Sequence, residues 1–257
     1  MARIAVAGGT GLVGRFVVGA LTDAGHEPVV LARSAGVDLV TGAGLGEALT
    51  GVEAVVDVTN RVTMSPKASE EFFSTTTATL LDAAGRTGVG HVVALSIVGI
   101  DDVEYGYYAG KRRQEQVLLD SGRPVSILRA TQFHEFAGQV LGQVKGPFAV
   151  TPRMKVQPVA AREVGLALAE LAVGPAVGRA PDLGGPEVMM LADMTRKVLK
   201  ALKSRRPVLQ IPIPGKAGTP MASGALLPSG GNRGRISFDE WLDGPDGPVA
   251  MRRSRPR

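Results

Sequence analysis

The sequence predicts an α/β protein built on a doubly wound parallel sheet. Three observations support this prediction. The first half of the chain alternates short apolar runs, typical of buried strands, with longer segments of helical periodicity. A glycine-rich turn separates the first strand from the first helix. The chain has 257 residues, of which 44% are hydrophobic and 21% charged, and this balance is typical of a soluble globular protein of one large or two small domains.

The repeating unit of the first half is a strand followed by a helix. We expect strands at residues 2–7, 27–32, 37–40, 54–58, 91–95 and 124–128, and helices at residues 12–24, 44–49, 69–86 and 104–121. Near-continuous apolar strands require cover on both faces, and right-handed crossovers place the helices there. The predicted result is a doubly wound sheet.

The second half has a looser pattern, because prolines and glycines become frequent after about residue 130. Helices are expected at residues 162–172 and 191–203. A capping-box pattern, Ser237-Phe238-Asp239-Glu240, opens a last short helix. Residues 212–235 are rich in Gly, Pro and Ser and are predicted to form a loop or lid.

Composition excludes several classes of protein. The absence of cysteine excludes disulfide scaffolds, thiolate nucleophiles and cysteine-ligated zinc. The three histidines, His26, His91 and His134, lack ligand spacing, so we expect no metal site. No apolar run approaches eighteen residues and the N-terminus lacks the features of a secretory signal, so we expect a cytoplasmic protein with no membrane partner.

The net charge is +5, and part of the excess lies in the basic tail at residues 252–257. We interpret this tail as a solvated terminus, with a contact to nucleic acid or phosphate as the alternative. Aromatic residues make up only 4% of the chain and offer little stacking surface. A nucleic-acid partner is therefore not expected, and a small-molecule substrate is.

The strongest motif is Gly8-Gly9-Thr10-Gly11-Leu12-Val13-Gly14, between the first predicted strand and the first predicted helix. Gly8, Gly11 and Gly14 allow a turn that needs positive φ and a backbone that approaches a pyrophosphate closely. The helix N-terminus then offers unpaired N–H groups to the anion. In this context the pattern predicts a dinucleotide site.

The end of the second strand discriminates between the two nicotinamide cofactors. NAD selectivity calls for an acidic residue there, but this chain has Leu31-Ala32-Arg33-Ser34. The Arg33 guanidinium suits a 2′-phosphate, and Ser34 adds a hydroxyl donor. Arg15 is a second candidate, and a solvated loop arginine is the alternative for Arg33. We therefore predict NADP as the cofactor, with NAD still possible.

The chain resembles the short-chain dehydrogenase/reductase superfamily, and within it the atypical, NmrA-like branch with a Rossmann fold. Beyond the glycine turn, the resemblance rests on six stretches: Val37-Asp38-Leu39, Val55-Val56-Asp57-Val58-Thr59-Asn60, Ala94-Leu95-Ser96-Ile97-Val98-Gly99, Lys111-Arg112-Arg113-Gln114-Glu115, Ile127-Leu128-Arg129-Ala130-Thr131-Gln132-Phe133 and Gly184-Gly185-Pro186-Glu187. It implies a dinucleotide-binding core at residues 1–130. A small substrate-binding region, residues 131–257, would interleave with this core and pack on it.

The resemblance also implies positions for the cofactor. Asp38 would face the adenine amino group, although a turn-forming carboxylate is an equal alternative. Thr59 and Asn60 would lie beside the adenosine ribose, and Thr131 and Phe133 would border the nicotinamide. Many relatives are dimers, so a homodimer is a possible assembly.

Catalysis is predicted for Ser96, Tyr107 and Lys111. Tyr107 and Lys111 are four residues apart and would share one face of a helix. In the superfamily, a lysine ammonium lowers the pKa of the tyrosine and binds the nicotinamide ribose, while the serine binds the substrate oxygen. Tyr105 and Tyr108 are competing tyrosines. Gly106 and Gly110 disfavour a helix, which would then begin only near Ala109.

The remaining candidates each have a structural alternative. Glu115 is expected to pair with Arg112 or Lys111 on the helix surface. His134 and Glu135 follow the sixth strand and are candidates for substrate contact, but a lone histidine is more often structural. Five apolar residues could form a substrate wall or belong to the core: Phe133, Phe136, Phe148, Met154 and Val156.

Three functional hypotheses follow. The first is an NAD(P)H-dependent oxidoreductase acting on a small carbonyl or quinone-like substrate. The second is a redox sensor that binds the dinucleotide without turnover, and the third is a sugar-nucleotide epimerase or dehydratase. The set Ser96, Tyr107 and Lys111 favours the first, because a sensor has no need of it.

Overall fold

The computed structural model describes residues 1–143 and 146–248, which form two compact units. The first unit comprises Met1–Ile100, Glu104–Arg129 and Arg162–Pro181. The second comprises Asp101–Val103, Ala130–Ala161 and the described part of Asp182–Arg257. The basic tail at residues 252–257 lies outside the described residues.

Strands and helices follow one another along both units. The strands are β1 (Arg3–Ala7), β2 (Glu27–Leu31), β3 (Ala54–Asp57), β4 (His91–Ile97), β5 (Val125–Ala130), β6 (Ala149–Pro152), β7 (Lys155–Val156), β8 (Gly178–Arg179), β9 (Leu183–Gly184), β10 (Met189–Met190), β11 (Val208–Ile211) and β12 (Asn232–Arg233). The helices are α1 (Leu12–Asp23), α2 (Leu45–Ala48), α3 (Pro66–Thr87), α4 (Gly106–Asp120), α5 (Phe136–Gln143), α6 (Ala161–Val173), α7 (Leu191–Ala201), α8 (Gly218–Ser223) and α9 (Phe238–Asp243).

The sheet of the first unit has the order β5-β4-β3-β1-β2, and β8 pairs with β5. Neighbouring strands run parallel, so that Ile4 of β1 lies opposite Pro28 on one side and Ala54 on the other. The chain moves outward from β1 in both directions, and this confirms the predicted doubly wound parallel sheet. The order reverses between β1 and β3, and in such sheets ligands bind beyond the carboxyl ends of the strands at this point.

The apolar core of the first unit lies between the sheet and the helices. It includes Ala5 and Val55 from the strands and Leu80 and Leu118 from α3 and α4, all with almost no exposed surface. Burial of these faces, more than local propensity, stabilises the helices.

The strand predicted at residues 37–40 is wrong, because this segment is a loop. Gly36 and Gly42 both adopt positive φ, at 77° and 79°. Asp38 Oδ1 accepts hydrogen bonds from the backbone N–H groups of Val40 (2.7 Å) and Thr41 (3.3 Å). The side chain thus closes a turn that competes with an extended strand.

The concern that α4 begins only near Ala109 is also wrong, since the helix begins at Gly106. Its glycines lie at the packing surface with α3. A Cβ atom on Gly106 would lie 2.1 Å from the carbonyl oxygen of Met64, and one on Gly110 would lie 2.1 Å from Ser69 Oγ. Close packing outweighs the low helix propensity of these two residues.

The second unit contains short strands that the sequence pattern missed, whereas α7 and α9 lie where helices were predicted. Strand β11 pairs parallel with β6, β10 pairs antiparallel with β7, and β12 pairs with β9, which joins the last residue of β5 through Ala130 and Leu183. Helix α5 was not predicted. Residues 212–235 are not wholly a loop, because they include α8 and β12. The capping box is confirmed, with Ser237 and Glu240 bonded reciprocally at the start of α9.

None of the helices within residues 1–143 and 146–248 combines the length and apolar character needed to cross a membrane.

Candidate active site

The turn after β1 has the steric features of an anion-binding loop. Gly8 has φ of +80°, and a Cβ atom on Gly14 would lie 2.1 Å from the carbonyl oxygen of Gly8. Gly11 is the N-cap of α1 and supplies no side-chain acceptor, so the first backbone N–H groups of the helix remain available. Gly8 requires glycine because of its positive φ and Gly14 because of the missing space, whereas Gly11 has an ordinary φ of −78°. The space would accept a pyrophosphate at a helix N-terminus. Thr10, Leu12 and Val13 complete the loop.

Arg33 and Ser34 follow β2 after one intervening residue, Ala32, and lie in a short 3₁₀ helix, Arg33–Ala35. Both side chains are exposed. The Arg33 side chain makes no hydrogen bond or ion pair with any residue that the structure describes, and its backbone carbonyl accepts from the N–H of Gly36 at 3.1 Å. Arg15 instead lies over the ring of Phe16, 5.0 Å from its centroid. Of these two candidate arginines, Arg33 is the one whose side chain has no partner among the described residues.

Asp38 uses one carboxylate oxygen to close its own turn, as described above. These hydrogen bonds agree with the alternative of a turn-forming carboxylate. The contact of Asp38 with the adenine amino group stays a prediction.

The carboxyl end of β3 brings a buried carboxylate to the site. Asp57 Oδ1 accepts hydrogen bonds from the N–H (2.9 Å) and the hydroxyl (2.7 Å) of Thr59, and Oδ2 accepts one from Gln114 Nε2 (2.8 Å). Asn60, three residues beyond the end of β3, accepts a hydrogen bond from the Tyr107 hydroxyl at 2.7 Å. The structure thus brings Asn60 and Tyr107 together.

Tyr107 and Lys111 both lie on α4, one turn apart. Burial raises the pKa of the Tyr107 phenol above its ordinary value, and the hydrogen bond to Asn60 opposes this rise. Tyr107 is therefore protonated at neutral pH in the free protein. The competing Tyr105 hydroxyl contacts Met64 Sδ at 3.0 Å, and Tyr108 is buried.

Lys111 is buried, with only 4% of its surface exposed. Its Nζ donates to the carbonyl oxygen of Leu95 at 2.6 Å and to Gln114 Oε1 at 2.5 Å, and it lies 4.8 Å from the ring centroid of Phe73. Burial lowers the pKa of Lys111 to about 8, against the opposing effect of the Asp57 and Glu115 carboxylates. The ammonium is thus held near the carboxyl end of β4. Its pKa of about 8 lies close to neutral pH.

Glu115 does not lie on the helix surface, and the predicted pairing with Arg112 or Lys111 is wrong. Its carboxylate is buried and binds Arg129 Nε (2.8 Å) and Nη2 (2.7 Å), and it also binds Arg179. Burial raises the pKa of Glu115, but hydrogen bonds from Arg129, Ser96 and Arg179 outweigh it and hold the pKa below its ordinary value. The physical reason is helix orientation: this position of α4 faces β5, not solvent.

Ser96 is buried beside Glu115. Its hydroxyl is close enough to lower the pKa of that carboxyl, yet it makes no hydrogen bond of standard geometry. Among the described residues it bonds to neither Tyr107 nor Lys111. The predicted trio is therefore divided: Tyr107 and Lys111 share a helix face, and Ser96 belongs to the Glu115 cluster.

The predicted residues after β5 lie in the second unit. The Thr131 hydroxyl donates to the carbonyl oxygen of Gln157 at 2.5 Å, and Phe133 forms a β-bridge with Val159. His134 is fully buried, with Nε2 3.0 Å from the carbonyl oxygen of Ile236. Burial lowers the pKa of His134 to about 4, against the opposing effect of that bond. The burial and bonding of His134 therefore agree with a structural role. Glu135 is also buried.

The five apolar residues divide in the same way. Met154 and Val156 are buried core residues, Phe133 and Phe136 are half-buried, and Phe148 is 47% exposed. The structure thus supports a core role for two of them.

Two functional candidates escaped the sequence reasoning. Asp57 and Gln114 together connect Lys111 to the end of β3. A signal was present for Asp57, since it is a lone carboxylate in an otherwise apolar strand, and such a group is buried only with partners. Gln114 gave no comparable signal. Within the described ranges, no cluster of three or more His, Asp or Glu side chains could hold a metal ion.

Comparison with known proteins gives three findings. A family model described as NAD(P)H-binding matches residues 8–164. The (4-alkanoyl-5-oxo-2,5-dihydrofuran-3-yl)methyl phosphate reductase of Streptomyces griseus is 32% identical over 220 residues, which cover 77% of this chain and 73% of that protein. Solved structures of two further proteins share the fold.

The dTDP-glucose 4,6-dehydratase from Streptomyces venezuelae, solved with NAD, has a TM-score of 0.72 and 19% identity over 98% of each chain. A short-chain dehydrogenase/reductase superfamily protein from Agrobacterium tumefaciens, also with NAD bound, has a TM-score of 0.70 and 19% identity, covering 98% of this chain and 97% of that one. At these identities the likeness concerns the fold alone.

Proposed function

Since the chain belongs to the NAD(P)H-binding family of atypical short-chain dehydrogenases/reductases, we propose that it is a reductase that uses NADP(H) and acts on a small carbonyl or quinone-like substrate. The observation that supports this most is the pairing of Tyr107 and Lys111 on α4, with the Tyr107 hydroxyl held by Asn60 at the end of β3. Proton donor and cation therefore meet at the sheet edge where such folds bind ligands.

The residues at this edge fit a dinucleotide. The glycine turn leaves a space that a Cβ atom would fill, and the N-terminus of α1 offers free N–H groups to the pyrophosphate. Arg33, with Ser34 beside it, would bind the 2′-phosphate through charge-assisted hydrogen bonds. Asp38, Thr59 and Asn60 would border the adenosine, and the nicotinamide contacts predicted for Thr131 and Phe133 stay predictions. When bound, the reduced nicotinamide would supply a hydride.

Tyr107 would act as the proton donor. A phenol whose pKa is raised by burial is protonated at neutral pH, so it is ready to give its proton to the oxygen that becomes an alkoxide. Lys111 uses two of its three N–H groups within the protein, and the third would bind a ribose hydroxyl. Ser96 would bind the substrate oxygen.

The Streptomyces griseus relative supports the class of substrate. Its name describes an unsaturated lactone that bears an alkanoyl group and a phosphate ester. We therefore include conjugated lactones, with and without a phosphate group, among the acceptors to be tested beside simple carbonyl compounds and quinones.

The test is steady-state NADPH oxidation against this panel of acceptors. We expect Tyr107→Phe to lower kcat by about 10²- to 10⁴-fold, because the proton donor is lost, and to leave NADPH affinity within a few-fold of wild type. Tyr105→Phe is the matched control, since it removes a hydroxyl that contacts only Met64 among the described residues, and it should keep the wild-type rate. Ser96→Ala should raise KM for the acceptor if the serine binds substrate, but not if it only supports Glu115.

Tight NADPH binding without turnover on any acceptor would favour the redox-sensor alternative. Equal activity in wild type and Tyr107→Phe would overturn the proposed proton donor.

A further inference from the structure

A line of buried polar groups runs from Lys111 to the end of β3. Lys111, Gln114 and Asp57 are exposed by 4%, 1% and 2%, respectively. Lys111 Nζ donates to Gln114 Oε1 at 2.5 Å, and Gln114 Nε2 donates to Asp57 Oδ2 at 2.8 Å. A cation and a carboxylate are thus joined out of water by one amide. Burial of both charges is costly unless the groups are paired and bonded in this way.

The amide of Gln114 can adopt only one useful orientation. Its oxygen faces an ammonium, which has only donors, and its NH₂ group faces a carboxylate, which has only acceptors. The reversed amide would place donor against donor and acceptor against acceptor. The amide dipole therefore lies between the two charges, with its oxygen toward Lys111 and its NH₂ group toward Asp57.

The charges around Lys111 come from several elements. Asp57 approaches from β3, and Glu115 lies on α4 itself, four residues after Lys111. Glu115 is already bound by Arg129 of β5 and by Arg179 of β8. Tyr107 lies one turn earlier on α4, and the ring of Phe73 from α3 covers the ammonium. Asp57 binds no arginine or lysine directly within the described part of the chain, so its charge is matched chiefly by Lys111.

Asp57 also fixes the other side of the site. Its Oδ1 accepts hydrogen bonds from both the N–H and the hydroxyl of Thr59. The next residue, Asn60, accepts a hydrogen bond from the Tyr107 hydroxyl. The Asp57 carboxylate therefore orients the loop whose Asn60 binds Tyr107. Through Gln114 it also orients the ammonium of Lys111.

We propose that Gln114 and Asp57 are positioning residues for Lys111: together they hold its ammonium in place and charged, and leave one N–H for the cofactor ribose. The role in catalysis rests on the proposed function, whereas the hold on Lys111 does not. Neither residue touches substrate.

The direct test follows the titration of Lys111 in protein labelled with [¹³Cε]lysine, with the Lys111 resonance identified by its loss in Lys111→Met. Gln114→Glu places a carboxylate against the ammonium and should raise the titration midpoint by about one pH unit or more. Asp57→Asn removes the matching charge and should lower the midpoint. Both substitutions preserve the shape of the side chain, and circular dichroism checks the fold.

Gln116→Glu is the matched control. It adds the same charge to the same helix at an exposed position, where Gln116 accepts a hydrogen bond from Arg113, and it should leave the midpoint unchanged. Unchanged midpoints in both Gln114→Glu and Asp57→Asn, or equal shifts in the Gln116→Glu control, would overturn the proposal.

Turnover provides the second readout. The pKa of Lys111 lies near 8, so kcat/KM for NADPH oxidation should fall as the pH rises through about 8 and the ammonium is lost. This alkaline limb should move to higher pH in Gln114→Glu and to lower pH in Asp57→Asn. If the NMR midpoints move but no NADPH turnover exists in wild type, the proposed function fails and the network stands. If turnover exists but neither the midpoints nor the limb moves, the network fails.

Discussion

At the scale of single residues, bonding separates the arginines of the first unit into two kinds. Arg129 and Arg179 bind the buried Glu115, whereas Arg33 is exposed and has no partner among the described residues. We expect Arg33→Ala to weaken NADPH binding about 10- to 100-fold, because a charge-assisted hydrogen bond of roughly 1.5–3 kcal/mol is lost. NADH binding should not change, since NADH lacks the 2′-phosphate. Calorimetric titration with both cofactors measures the difference.

The control for Arg33 is Arg113→Ala, which removes an exposed arginine from the outer side of α4. This variant should bind NADPH as wild type does. Equal weakening of NADPH and NADH by Arg33→Ala would contradict the proposed preference for NADP.

At the scale of secondary-structure elements, the same residue type has opposite consequences in two helices. Gly110 of α4 lies against α3, where a Cβ atom would be 2.1 Å from Ser69 Oγ and 2.7 Å from Phe73 Cδ2. Gly19 of α1 has no atom within 4 Å of a Cβ position. We expect Gly110→Ala to destabilise the fold by about 1–3 kcal/mol through overpacking. Gly19→Ala should stabilise it by about 0.4–1 kcal/mol.

Chemical denaturation of the two variants beside wild type measures both effects. Because the substitution is the same, Gly19→Ala serves as the control for Gly110→Ala. A stabilised Gly110→Ala would mean that α4 packs less closely on α3 than the structure shows.

At the scale of the whole molecule, buried His134 makes folding stability depend on pH. It packs against Phe238 and Trp241 in the second unit. Burial lowers the pKa of His134 from 6.5 to about 4. Between these two pH values His134 binds a proton in the unfolded chain but not in the folded one. Stability is therefore lost as the pH falls from about 6.5 to about 4, by up to about 3 kcal/mol.

Urea unfolding followed by the fluorescence of Trp241, the chain's one tryptophan, measures this loss. In His134→Leu the stability at neutral pH should be lower and its decrease in acid smaller. Phe238→Leu is the matched control, because it disturbs the same cluster but keeps the titrating group, and its decrease in acid should equal that of wild type. An undiminished decrease in His134→Leu would show that other groups cause the acid sensitivity.

Much of the fold could be predicted because the first unit is built from local patterns. Buried parallel strands give nearly continuous apolar runs, and the helices between them have a clear period, so five of the six predicted strands were confirmed in place. The segment at residues 37–40 failed because the Asp38 side chain bonds to its own backbone, which apolar content does not reveal. In the second unit, strands of two to four residues leave too little periodicity to recognise.

The candidate site was predictable where chemistry is local and hidden where it depends on packing. The glycine turn is specified by spacing, because only glycine adopts its φ and leaves its space. The four-residue spacing of Tyr107 and Lys111 likewise places them on one helix face. Glu115 was misjudged because the direction in which a helix face points depends on the elements packed around it.

By itself, then, the sequence determined the doubly wound sheet, the glycine turn and the shared helix face of Tyr107 and Lys111, since each depends on residues near one another in the chain. Only the tertiary structure decided that Asp57 reaches Lys111 through Gln114, that Asn60 holds Tyr107, and that Ser96 lies beside Glu115. Two of these contacts, Asn60 with Tyr107 and Asp57 with Gln114, join residues 47 and 57 positions apart. They form because parallel strands deliver their carboxyl ends to one edge, and burial there requires each charged group to find a partner.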